Sequence, residues 1–443
     1  MFDLEISIQA WSDRLRSRGK MSEGDVQELE SHLRDEIEDL TQTGLAPDEA
    51  YIISIKRLGN VSAVSEEYAK LGMASFWKHL LLEQPAHKTA RRKALLTAAV
   101  CALLAGTAFK LPELLGCGET LYFKNAGLFL LPLIALYFLL TKRQPARSTA
   151  WTLGLFGLSG LLINLYPFDP SGSTITLSAI HLPLFLWLLV GVAYCGARWK
   201  ESESRMDFIR LTGETLIYGI LILCGVGALA VFVLMIFHTI GIDLSRFVTE
   251  YLAVYGACAA AFAAVYLVEE KKSVVENFAP VLAKIFSPLF LLALLAFLAA
   301  LLLTGKHLYA DRDVLIGFDL MLALVLGLVV YGISARGLNE NPDASDYIRF
   351  ALILAAFVVD LLALFAILYR LSAYGVTPNK LAALGENLIL MGNLGGLAVR
   401  YFQFFRRKTP FSALERWQTF YLWVFAVWLA IVALLFPVLF QYC

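Results

Sequence analysis

Eleven apolar runs follow one another from residue 93 to the end of the chain, each close to the ~20 residues an α-helix needs to cross a bilayer. They lie near 93–110, 125–141, 150–166, 178–197, 213–239, 247–268, 281–304, 314–334, 348–369, 381–402 and 418–439. The second and third are short enough to be tilted or partly re-entrant. Hydrocarbon offers no water to unpaired N–H and C=O groups, so such runs must close their hydrogen bonds internally as helices. The expected fold is therefore all-α, a polytopic membrane domain of about 11 transmembrane helices over 93–443. Ahead of it come a small soluble helical bundle over 1–72 and an interfacial segment over 73–92.

Charge is concentrated where the runs are not. Overall 58% of residues are hydrophobic and 17% charged, against about a quarter charged in soluble domains. The net charge is zero, which gives no electrostatic footprint for nucleic acid. The first residues, MFDLEISIQAWSDRLRSRGK, contain no apolar h-region, so no signal peptide is expected there. With the N-terminus placed inside, the inward-facing loops carry 21 Lys and Arg and the outward-facing loops 7. The positive-inside rule then gives a multi-pass protein of the cell (inner, cytoplasmic) membrane, N-terminus cytoplasmic and C-terminus extracytoplasmic. Cys117 and Cys443 fall on the outer side, where an oxidising compartment permits a disulfide.

Residues 1–72 hold 15 acidic and 8 basic residues. Val26, Leu29, Leu33, Ile37 and Leu40 recur at three- and four-residue steps, the stripe of an amphipathic helix. Ser22 and Asp25 form a capping-box pattern at its start, and Gly44 stands where a left-handed cap is favoured. Pro47, Asp48 and Glu49 open a second helix, and Gly59 and Asn60 separate it from a last one over 61–71. In residues 73–92, Phe76, Trp77 and Leu80–Leu82 suit a lipid surface, while Lys88, Arg91 and Arg92 suit anionic headgroups.

The run VQELESHLRDEIEDLTQTGLAPDEAYIISIKRLGNVSAVSEEYAK resembles the bacterial permease prefix domain, a small helical signalling-type module. The shared pieces are E-L-E-x-H-L-R-D-x-I-x-D-L, G-L-x-P-x-E-A, R-L-G-N and E-E-Y, in that order. The resemblance implies a cytoplasmic module with a possible protein partner, attached to a membrane domain, and it transfers no catalytic residue. A second resemblance, over most of 205–405, is to an uncharacterised polytopic family, a domain of unknown function. It rests on R-L-T-G-E at 210–214, F-S-P-L at 286–289, D-R-D-V-L-I-G-F-D at 311–319 and the Y-G-x-T-P-N-[RK] motif within 369–387. It implies the same fold and topology and no activity.

Active-site patterns are missing from the sequence. No H-E-x-x-H, G-x-S-x-G or Walker loop is present, and the six histidines stand at no metal-ligand spacing. Gly225, Gly227 and Ala230 mimic a dinucleotide fingerprint, but inside an apolar span, where small residues serve helix packing. No catalytic residue, cofactor or metal is expected. What remains is polarity at membrane depth. Asp360 sits midway in FALILAAFVVDLLALFAILYR, about ten residues or ~15 Å from either end. An acid there is costly and usually faces the bundle interior. Glu386, Asn387 and Asn393 follow on the tenth segment, with 386 and 393 seven apart on one face. Counting inward from the loop joining the ninth and tenth segments brings Asp360 and Asn393 to similar depth. Asp319 enters the eighth segment from its outer end, behind Asp311, Arg312 and Asp313. These residues define a candidate polar site, an outward-opening pocket among the eighth to tenth helices; Glu386 has Arg370 or Lys380 as alternative partners.

Three functions compete for this pattern. One is a permease-like, transport-related protein with a cytoplasmic regulatory prefix domain. Another is a non-transporting signalling protein whose prefix domain binds a cytoplasmic partner. The third is a membrane-embedded enzyme on lipid-linked substrates, for which no nucleophile, metal set or loop carboxylate pair is found. The lipid bilayer is a partner under all three, and the pattern does not specify an oligomeric state.

Overall fold

The computed structural model describes residues 4–17, 30–31, 33–35, 37–38, 40–41, 47–58, 85–142, 144–270, 278–304, 312–336 and 341–443. Among them every regular element is helical, so the expected all-α class holds. Several expectations lie outside the described residues: the Ser22–Asp25 cap, Gly44, the last short helix over 61–71, the segment 73–84, and Asp311. The chain divides into two compact units, Met1–Ala90 and Arg91–Cys443.

In the first unit, α1 (Leu4–Ser17) and α2 (Pro47–Leu58) pack with helical residues between 30 and 41. Leu33 and Ile37 from the expected stripe join Ile8, Trp11 and Ala50 in a small buried core, with Leu40 packed against it. Polar contacts tie the same helices together. Arg34 forks onto Glu5 at 2.7 and 2.9 Å and onto Glu30 at 3.0 Å. Tyr51 donates its hydroxyl to the Ser7 carbonyl at 2.7 Å.

Among its described residues the second unit contains 11 helices long and apolar enough to cross a membrane, and the protein is an integral membrane protein. In chain order they are α3 (Arg91–Leu114), α4 (Glu119–Thr141), α5 (Ala146–Leu165), α6 (Ser173–Cys195), α7 (Ser202–Thr239), α8 (Ser245–Glu270), α9 (Phe278–Thr304), α10 (Arg312–Ser334), α11 (Ala344–Tyr374), α12 (Pro378–Phe405) and α13 (Ser412–Leu439). The second and third expected spans are full helices of 23 and 20 residues.

Two apolar cores hold this unit together. One gathers α3 to α8 around Tyr137, Phe138, Leu186 and Phe262. The other gathers α9 to α13 around Leu322, Ile353, Leu397, Tyr401 and Phe411. Helix α13 carries a π-helical turn at Ile431–Leu435, which displaces backbone carbonyls from their usual partners. Ser178 of α6 donates to the Ala433 carbonyl and Tyr166 to that of Leu434, both at 2.8 Å. The bulge is therefore stitched to its neighbours rather than left open. Gly392 and Gly396 let α13 come close, since a Cβ on either would collide with Tyr421 or Trp417. Cys117 and Cys443 are both free and exposed, so no disulfide joins them.

Candidate functional site

The site begins with the turn that joins α11 to α12. Gly375 closes α11 with a φ of 74°, a left-handed conformation that glycine adopts without a Cβ penalty. Thr377 caps α12 through its side chain and Pro378 fills the first helical position, where no N–H is missed. Lys380 reaches back to donate to the Tyr374 and Gly375 carbonyls at 3.1 and 2.8 Å. The Y-G-x-T-P-N-K motif thus encodes a tight antiparallel hairpin with both helix ends satisfied. It sets α12 beside α11, while α10 packs on α11 from another side.

Asp360, midway along α11, has no exposed surface. Neither of its carboxylate oxygens has a hydrogen-bond partner among the described residues. Asp319 of α10 is its acidic neighbour, close enough for the two charges to bear on each other. Asn387 of α12 donates from Nδ2 to Asp319 Oδ1 at 3.2 Å, and its own Oδ1 is buried without a partner. Three of the five expected residues, Asp319, Asp360 and Asn387, therefore share one neighbourhood.

The other two turn elsewhere. Glu386 meets neither Arg370 nor Lys380; its Oε1 lies 2.6 Å from Nε2 of His181 on α6. Asn393 does not reach Asp360. It exchanges hydrogen bonds with Gln418 of α13, at 2.8 and 3.4 Å, and accepts the Trp417 indole N–H on its carbonyl. Both corrections have one geometric cause. Residues 386 and 393 do share a face, because seven residues make nearly two turns, but 387 is rotated by ~100° from 386. The first face points at α6 and α13, the second at α10. Matching depth along two helices said nothing about azimuth around them. The pocket is also not open at Asp360, which is sealed from solvent. Two apolar cavities of about 250 and 530 Å³ lie instead along α6 and α7, walled by residues such as Leu188, Phe208 and Leu422, and neither includes Asp319 or Asp360.

His181 and Gln418 were the residues that the sequence pattern concealed. His181 carries the same signal as Asp360, a titratable group inside an apolar run, but it stands at no metal spacing. Its Nδ1 lies 2.7 Å from the Leu177 carbonyl, and a carbonyl only accepts, so Nδ1 bears a hydrogen. The short Nε2–Oε1 contact then needs a second proton, held on the imidazole or on the carboxyl. Among the described residues no group of three or more His, Cys, Asp and Glu is arranged to hold a metal ion. No family model, curated protein or solved structure matches this chain.

Proposed function

We propose that the membrane unit is permease-like, moving a small polar or charged species through a site formed by α10, α11 and α12. The observation that carries this reading is Asp360: an acid with no exposure and no hydrogen-bond donor among the described residues, near mid-span of a transmembrane helix. Buried polar groups are normally paired, and intramembrane acids mark ion and substrate pathways. A carboxylate left bare is one whose partner comes and goes. Residues 1–72 serve as a cytoplasmic regulatory module, as the resemblance to a permease prefix domain suggests. The outward opening of the site belongs to a second conformation, since alternating exposure is what a sealed transport site requires.

The test is Asp360→Asn in the full chain. This change keeps size and removes the titratable group. Yield and thermal stability in detergent are expected to stay near those of the parent, while complementation of a deletion strain is lost. Full complementation by the Asn variant would defeat the reading. Orientation has its own check: a reporter fused after Cys443 is expected to be active outside the membrane, and one after residue 90 inside.

A signalling role without transport draws on one different feature, the excess of acidic over basic residues in 1–72, which suits a basic cytoplasmic partner. Under that reading, loss of residues 1–72 abolishes function and Asp360→Asn preserves it.

A further inference from the structure

We propose that the proton is the ion taken by the α10–α12 site, entering at the His181–Glu386 pair and held at Asp360. This inference rests on the permease reading above and deepens it.

The first argument is the inventory of unmet atoms. The buried side-chain atoms left without partners at the site are all acceptors: both oxygens of Asp360 and Oδ1 of Asn387. A ligand that satisfies these three oxygens carries positive charge or donates hydrogen. Two acids on adjacent helices, Asp319 and Asp360, share the neighbourhood. No hydrogen bond from Lys, Arg or His reaches either acid among the described residues. Two neighbouring negative charges at membrane depth are not sustained without a neutralising ion.

The second argument selects the proton. His181 and Glu386 share one, because Nδ1–H is committed to the Leu177 carbonyl and the 2.6 Å Nε2–Oε1 contact requires another. The titratable groups facing the site are then His181 from α6, Asp319 from α10 and Glu386 from α12, with Asp360 on α11. The described part of α9, which also packs on α11, carries only Lys284, near its start. These groups are graded in exposure. The Glu386 side chain is 39% exposed, Asp319 is half-buried, and Asp360 is fully buried. Glu386 is the chain neighbour of Asn387, whose side chain donates to Asp319. A string of acids and a histidine running from an accessible end to a sealed one is the arrangement of a proton relay. A metal ion asks for several strong ligands converging on one point, and among the described residues no three of His, Cys, Asp and Glu do so.

The proton balance is simple. A proton leaves the His181–Glu386 pair for Asp319 and then Asp360, the pair is reprotonated from its exposed side, and no other bond is made or broken. Glu386 and His181 act through this delivery; Asp360 is the binding residue.

The experiment is infrared difference spectroscopy on the full chain in lipid, between acidic and alkaline buffer, in equal concentrations of sodium or choline chloride. A carboxylic C=O band is expected to appear on acidification, to vanish in Asp360→Asn, and to be the same in both salts. If Asp360→Asn fails to accumulate, Asp360→Glu serves instead by displacing the band. After a pH jump, Glu386→Gln is expected to slow the band's appearance severalfold while leaving its final amplitude. A band that does not titrate, or one suppressed by sodium but not choline, overturns the proton assignment. If the band stays silent while Asp360→Asn abolishes complementation, the permease reading survives without the proton. If the band titrates while Asp360→Asn complements fully, the relay is real and the permease reading fails.

Discussion

Asp346 and Asp360 lie on the same helix, fourteen residues or ~21 Å apart, and both are fully buried. Their surroundings differ in kind. Asp346 accepts from Arg336 Nε at 2.9 Å, from Arg349 at 2.9 Å and from the Asp343 backbone N–H at 3.2 Å. Arg336 is held in turn by the Asn341 carbonyl at 3.0 Å and lies over the rings of Phe411 and Phe404. A capping box formed by Asp343 and Asp346 anchors the whole group to the first turn of α11. Both carboxylate oxygens there are engaged, and two guanidinium groups depend on them. Asp360 has no such dependants. Burial alone does not distinguish the two acids; their partners do.

This contrast is most easily broken at Asp346. Asp346→Ala leaves two buried guanidinium groups without their shared carboxylate, and breaking such a pair costs about 3–5 kcal/mol. The full chain is expected to lose its monodisperse peak on size exclusion in detergent, or to melt far below the parent. A melting temperature close to that of the parent would show that the Arg336–Asp346–Arg349 group is not what holds α10 to α11.

Asp360→Leu is the matched experiment. No donor is stranded by it, and an apolar residue suits the depth, so stability is expected to change by less than about 1 kcal/mol or to rise. Function is expected to vanish as it does in Asp360→Asn. A loss of several degrees in melting temperature would mean that Asp360 has structural partners after all, and the distinction between the two aspartates would collapse.

The exposed ion pairs of the first unit give the smallest effect. Arg34, through its hydrogen bonds, holds the Glu5 carboxyl below the usual glutamate range. A depressed carboxyl contributes stability that is present above its unfolded value and is lost as pH falls through its folded value. Residues 1–72 alone are expected to be soluble and helical by circular dichroism and to lose a little stability in acid. Arg34→Gln should flatten that acid dependence. Because Glu5 is exposed, solvent screens the pair, and a large acid transition removed by Arg34→Gln would contradict its surface character.

Much of this architecture could be read from local patterns. Helix number follows from run length and hydropathy, because lipid forces each apolar run to satisfy its own backbone. The hairpin between α11 and α12 follows from Gly375, Thr377 and Pro378, whose conformational preferences act over three or four residues. Asp360 was legible as a buried acid for the same reason, since a lone acid in an apolar run stands out wherever its helix packs. The partners were not legible. Glu386 finds His181 across 205 positions of sequence, and Asn393 finds Gln418 across 25. Those choices depend on how α12 is turned about its own axis against α6, α10 and α13. A rotation of one residue, ~100°, exchanges one set of neighbours for another without altering hydropathy, length or depth. Periodicity specifies which residues share a face, and only tertiary packing decides what that face meets.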